Sequence, residues 1–207
     1  GWSGGRQLLV DLEGHGRHDE LFAELDLTRT VGWFTNVYPV WLDLAGKTDP
    51  GAALKHVKEE LRRVPNRGLG YGVLRYLKSE ATRLQETNAQ VSFNYLGQVD
   101  QIMGQGELFS GAPESPGAMQ SEHGRRPYLL ELTLAIVKGS LQVQCTYSVN
   151  HHKRETIEQL TEAYLDELRK LIKHCRSSDV EALTASDFSL SDFDDAELDQ
   201  ILSEVEF

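Results

Sequence analysis

The chain has 207 residues, 40% hydrophobic and 26% charged, which gives room for a real hydrophobic core in one large domain or two small ones and excludes a disordered chain. Acids outnumber Lys and Arg 32 to 21, for a formal net charge of -11, so the clustered cations that neutralise nucleic-acid phosphates are missing. No apolar run approaches the ~18 residues of a membrane helix, and no basic-then-hydrophobic leader opens the chain.

Cys145 and Cys175 show no CxxC spacing and read as buried, reduced thiols of a cytoplasmic protein rather than as a zinc or redox pair. The opening GWSGG lacks Met and leads at once into a strand, as in a chain cut from something longer. Residues 7–12, QLLVDL, form that strand, bounded by glycine. It runs into Glu13-Gly14-His15-Gly16-Arg17, where an acid leaves an apolar strand for a conformationally permissive turn. A carboxylate so placed is either a general base at the mouth of a site or a simple turn cap. Residues 18–25, HDELFAEL, read as a short amphipathic helix with Leu21, Phe22 and Leu25 on one side.

Residues 31–44, VGWFTNVYPVWLDL, favour strand, with an edge, bulge or break at Pro39, which cannot donate to a central ladder. The aromatics Trp33, Phe34, Tyr38 and Trp41 read as core, with a ligand wall as the alternative. Asp49-Pro50-Gly51 opens a helix to about Val64, which Pro65-Asn66-Arg67-Gly68 closes. GLGYG at 68–72 reads as tight backbone without the Lys and Ser/Thr of a Walker loop, and a short helix follows at 72–77.

Residues 90–96, QVSFNYL, alternate as a strand, with Val91, Phe93 and Tyr95 on one face, Ser92 and Asn94 on the other, and Gly97 as its end. Residues 98–126 form a long irregular segment. Strands at 128–137 and 140–149 pair as a hairpin across Lys138-Gly139, and residues 154–174 form a strongly amphipathic helix. From Ser177 the chain carries ten acids, with the near-repeat SDFSL and SDF and a capped helix start at Asp194. This tail reads as an interaction segment or as a linker packing Phe188 and Leu190. No clustered metal ligands and no nucleotide loop are evident.

The order of four stretches carries more than any one of them: EGHGR at 13–17, RTVGWFT at 29–35 followed by Tyr38-Pro39, PNRGLGYG at 65–72, and FNYLGQ at 93–98. Together they resemble four successive signature motifs of the epimerization domains of nonribosomal peptide synthetases. Related condensation domains share the fold but not usually the EGHGR and RTVGWFT wording. The similarity continues through YSVN, the 156–175 helix and TASDFSL at 184–190.

The resemblance implies an α/β fold of the chloramphenicol-acetyltransferase type, in which two lobes form a V. The 207 residues correspond to the C-terminal lobe: a mixed sheet packed with helices at 1–176, with an acidic linker or tail at 177–207. The HHxxxDG motif of the N-terminal partner lobe is absent. His151-His152 does not replace it, because HHKRETI lacks Asp-Gly and follows the Glu motif.

The activity implied is conversion of an L-aminoacyl or peptidyl thioester to its D form by removal and return of the Cα proton. No cofactor is bound directly; the substrate rides on the phosphopantetheine arm of a peptidyl carrier protein. The other partners are the neighbouring synthetase domains and the missing lobe, with no nucleic acid, membrane or metal. Glu13 is the expected proton-transfer group, its pKa raised by partial shielding from water. Tyr95, and after it Asn94, would orient Glu13 or bond the enolate oxygen, although alternation places the two on opposite faces unless the strand bulges. His15, Arg17, Trp33, Thr35 and Tyr71 match substrate or tunnel-lining positions. His18 stands where the family commonly has an acid. Half a site implies an inactive chain. The alternative is a naturally truncated, non-catalytic module that serves as a structural or docking element of the assembly line.

Overall fold

The computed structural model describes residues 4–18, 24–77, 88–99, 114, 117, 121, 124–176, 184 and 187. Among these described residues, five strands and three α-helices follow in the order β1 (Gln7–Gly14), β2 (Asn36–Asp43), α1 (Pro50–Arg62), α2 (Leu69–Tyr76), β3 (Val91–Gln98), β4 (Leu130–Val137), β5 (Ser140–Tyr147) and α3 (Arg154–Arg176). The strands make one mixed sheet in the order β2-β1-β3-β4-β5, an α/β arrangement as expected. Strand β3 runs parallel to both β1 and β4, while β4 and β5 are antiparallel. Pro39 lies within β2, an edge strand, where its missing N–H breaks no second ladder.

The described residues fall into two compact units, one built from residues 9–41 and 68–159, the other from residues before Leu9, 42–67 and those from Leu160 onward. In the first unit, register separates the sheet's two faces. Cα partners across a ladder point the same way and successive residues alternate. Asp11, Ser92 and Glu131 therefore form one row, and Glu13, Asn94 and Thr133 the next row of the same polar face. The opposite face carries Val10, Val91 and Leu130, then Leu12, Phe93 and Leu132. Val10, Leu130 and Leu134 are buried to 4%, 2% and 3% exposure, so this apolar face is the core, each full burial contributing about 1.5–3 kcal/mol.

The hairpin pairs Leu130 with Tyr147 through Val137 with Ser140. Positive φ at Lys138 (51°) and Gly139 (71°) matches the primed two-residue turn that suits strand twist. Gly68, at φ 78°, lies so close to Tyr38 that a Cβ would come within 2.1 Å of its ring; that contact brings the start of α2 against β2.

In the second unit, Asp49 caps α1 by accepting from the Ala52 N–H at 2.7 Å, with Pro50 at the position where a missing N–H costs nothing. The chain past α3 returns to α1. Thr184 is 1% exposed, and the Asp187 carboxylate accepts from Lys58, from Arg62 at 2.6 Å and from the Thr184 N–H at 2.8 Å.

Several expectations are corrected. Helix α2 begins at Leu69 rather than Gly72, because Gly68 in the left-handed region supplies the turn and leaves the following glycines helical. Gly97 does not end β3 but lies in a register slip between Tyr95 and Gln98. Residues 31–35 are not strand, and the aromatic run is not core, since Trp33 is 91% and Trp41 54% exposed. Cys145 is half-buried and Cys175 exposed, both free. Residues 18, 24 and 25 are not helical, while 19–23 of that expected helix lie outside the described residues. So do most of 98–126, Phe188, Leu190 and the helix start at Asp194. No helix among the described residues is long and apolar enough to cross a membrane.

Candidate functional site

At the C-terminal ends of the parallel strands β1 and β3, where open α/β sheets hold their ligands, lies a cleft of about 520 Å³. Glu13, His15, Arg17, Trp33, Thr35, Asn94 and Tyr95 all line it, with Phe34 and Gly97 beside them. Glu13 and Asn94 are Cα partners on β1 and β3, so these two side chains leave the same polar face at the same level. Tyr95 follows on the other face by alternation, yet borders the same cleft. The strand slips register between Tyr95 and Gln98 with Gly97 at φ 72°, the kind of bulge that re-aims side chains at a sheet's rim.

The turn after β1 is tightly determined. Gly16 has φ 67°, and a Cβ there would lie 1.6 Å from the Phe34 carbonyl oxygen, so only glycine fits. Arg17 donates through Nη1 to the Leu27 carbonyl and through Nη2 to the Thr30 carbonyl, both at 2.9 Å, and its Cζ lies 4.3 Å over the Phe34 ring. It borders the cleft, but its guanidinium is turned to backbone carbonyls and an aromatic face, which makes it a clamp on the 27–34 segment. His15 Nδ1 accepts from the Arg17 N–H at 3.0 Å, and its ring lies 4.6 Å from that of His18. Glu13 itself is exposed, so the shielding expected for it is not supplied by the described residues.

Tyr71 is the expected site residue that lines a different cavity, of about 940 Å³, with Asp11, Arg75, Arg126 and Tyr128. Phe34 and Thr35 border both spaces. Tyr71 accepts at its hydroxyl from Arg75 Nη1 at 2.9 Å. Tyr128 donates to Asp11 Oδ2 at 2.8 Å; burial first, and then this bond to a carboxylate, push the phenol well above its ordinary pKa. Arg126 pairs with Glu131. Sequence reasoning missed Phe34 as the surface beneath Arg17, and it missed the Asp11–Tyr128 pair. Alternation on β1 puts Asp11 on the face of Glu13 and was the available signal; Tyr128 lies 117 residues away and gave none.

The cleft thus offers a carboxylate, an imidazole, a phenol and a carboxamide to one small volume, a set suited to moving a proton beside a carbonyl and hydrogen-bonding its oxygen. No group of three or more His, Cys, Asp or Glu side chains among the described residues is placed to hold a metal ion.

Residues 1–193 match the family model described as the condensation domain. The chain is 43% identical over 202 residues, 96% of its length, to one of the polypeptides of linear gramicidin synthase from Brevibacillus parabrevis, of which it spans 3%. It is 38% identical over 186 residues, 90% of its length, to bacitracin synthase 3 of Bacillus licheniformis, of which it also spans 3%. Among solved structures it is similar to the epimerization domain from the third module of tyrocidine synthetase B, with a TM-score of 0.76 and 36% identity. That match covers 86% of this chain and 39% of the other.

Proposed function

The chain belongs to the condensation-domain family, and on that footing we propose that it is the C-terminal lobe of an epimerization domain of a nonribosomal peptide synthetase. Its cleft takes an aminoacyl or peptidyl thioester carried on the phosphopantetheine arm of a carrier protein. Glu13 is one of two groups that exchange the Cα proton; the other is a His of an HHxxxDG motif, which these 207 residues do not contain. The observation that supports this most is the convergence of Glu13, Asn94 and Tyr95 on one cleft at the strand ends. The similarity to a solved epimerization domain supports the same branch.

The chemistry requires two groups flanking one carbon. Breaking the Cα–H bond leaves its electron pair delocalised toward the thioester oxygen, and returning a proton on the opposite face inverts the centre. A single carboxylate works on one face only, so the lobe by itself is inactive in epimerization. The test incubates a carrier protein loaded with an L-aminoacyl thioester with this chain, with and without the complementary N-terminal lobe, and resolves D from L product by chiral chromatography. D product is expected only from the two lobes together and not from their Glu13→Gln form. D product from this chain alone would refute the one-lobe reading, and undiminished turnover by the Glu13→Gln form would refute the role of Glu13.

A further inference from the structure

We propose that His15 is a catalytic hydrogen-bond donor to the thioester carbonyl oxygen: a neutral imidazole held by the fold with its proton on Nε2. This rests on the acid–base reading of Glu13 and extends it to the other end of the enolate. Removing the Cα proton shifts charge onto that oxygen, and a positioned donor at this atom stabilises the transition state more than the ground state. Glu13, as the proton acceptor, cannot supply the donor, and His15 joins Tyr95 and Asn94 as a donor bordering the cleft.

His15 is exposed and borders the same cleft as Glu13, and its ring is held through Nδ1. Nδ1 accepts the Arg17 backbone N–H at 3.0 Å. A ring nitrogen that accepts has its lone pair in that bond, so the single proton of the neutral ring sits on Nε2. The group that sets this tautomer is itself held. Arg17 is tied to the Leu27 and Thr30 carbonyls, and Gly16, at φ 67°, lets the turn press against Phe34 where no Cβ could go. His18, 4% exposed, sets its ring 4.6 Å from that of His15 at a tilt of 46° and limits the swing of the imidazole. A donor fixed before substrate arrives needs no reorganisation when charge develops.

In the step itself the Cα–H bond breaks and its proton passes to the Glu13 carboxylate. The bonding pair becomes the Cα–C π bond, and the carbonyl π pair moves to oxygen. The Nε2–H bond of His15 stays intact and donates to that oxygen; reprotonation of Cα reverses the electron flow.

Long-range 1H–15N correlation spectra of the unmodified chain read the tautomer directly. The expected result is a bare Nδ1 and a protonated Nε2 on His15. The spectra are then followed through titration with the amide analogue of N-acetyl-L-alanyl pantetheine, which presents a stable carbonyl in place of the thioester. The His15 Nε2–H resonance should move. His15→Phe, which keeps a ring but no donor, should bind this probe about five- to tenfold more weakly, the worth of one neutral hydrogen bond. His15→Gln, whose amide can reach the Nε2 position, should stay within about threefold. A proton on Nδ1, an unmoved Nε2–H, absence of probe binding by the unmodified chain, a His15→Phe affinity equal to the unmodified one, or a loss in His15→Gln as large as in His15→Phe would each overturn the proposal. The Glu13→Gln comparison in the two-lobe assay does not involve this tautomer, so the two readings fail separately.

Discussion

Replacing Gly16 by Ala tests the turn on which the cleft depends. The perturbation has two parts. Any L residue at φ 67° costs about 1–2 kcal/mol in the left-handed region. In addition, the new Cβ would stand 1.6 Å from the Phe34 carbonyl oxygen and 2.6 Å from its carbon, so the backbone at Phe34 must retreat by more than an ångström. Overpacking of that kind costs about 1–3 kcal/mol more, for a total of about 2–5 kcal/mol. Gly139→Ala isolates the first part, because Gly139 has nearly the same φ, 71°, with nothing within 4 Å of its Cβ position. Urea titrations of both variants give the comparison: Gly16→Ala should show the lower midpoint at unchanged slope. Coincident midpoints would refute the close approach of Gly16 to Phe34 as the reason for glycine there.

Asp187 is held well below the usual carboxylate range, first by Lys58, then by the Thr184 N–H and Arg62. A depressed folded-state pKa contributes stability that is present above the ordinary value of 3.8 and lost as pH falls through the folded value. Stability of the unmodified chain should therefore fall more steeply below about pH 4 than that of Asp187→Asn, with the two curves converging in acid; parallel urea midpoints from pH 6 down to pH 2.5 would count against the clamp. At the hairpin, Lys138 has φ 51° before Gly139. Lys138→Asn creates the Asn-Gly pair this turn favours and should raise stability by about 0.5–1 kcal/mol, and a lowered urea midpoint would contradict the turn assignment.

Where turn chemistry and periodicity agree within a few residues, the sequence alone determined the result. The β4–β5 hairpin about Lys138-Gly139, the Asp49-Pro50 start of α1 and the long stripe of α3 were all legible, because their signals are local. The order of the four motifs also singled out Glu13, Asn94 and Tyr95, which the cleft brings together. GLGYG was misread because glycine content argues for loop, whereas the contact of Gly68 with Tyr38, 30 residues earlier, decides where α2 begins.

Only the tertiary structure decided how the motif residues divide their work. Arg17 reads from its motif as a cleft residue, but carbonyls 10 and 13 residues away turn its guanidinium into a clamp. His15 reads as one more lining group until the Arg17 N–H fixes which nitrogen bears the proton. Alternation sets Asn94 and Tyr95 on opposite faces, yet both border one cleft just before the register slip that follows Tyr95. Composition and spacing determine which chemical groups the chain carries and on which strand face each begins. Which of them remain open to a substrate depends on the hydrogen bonds each finds with distant backbone, and those follow from the path of the folded chain.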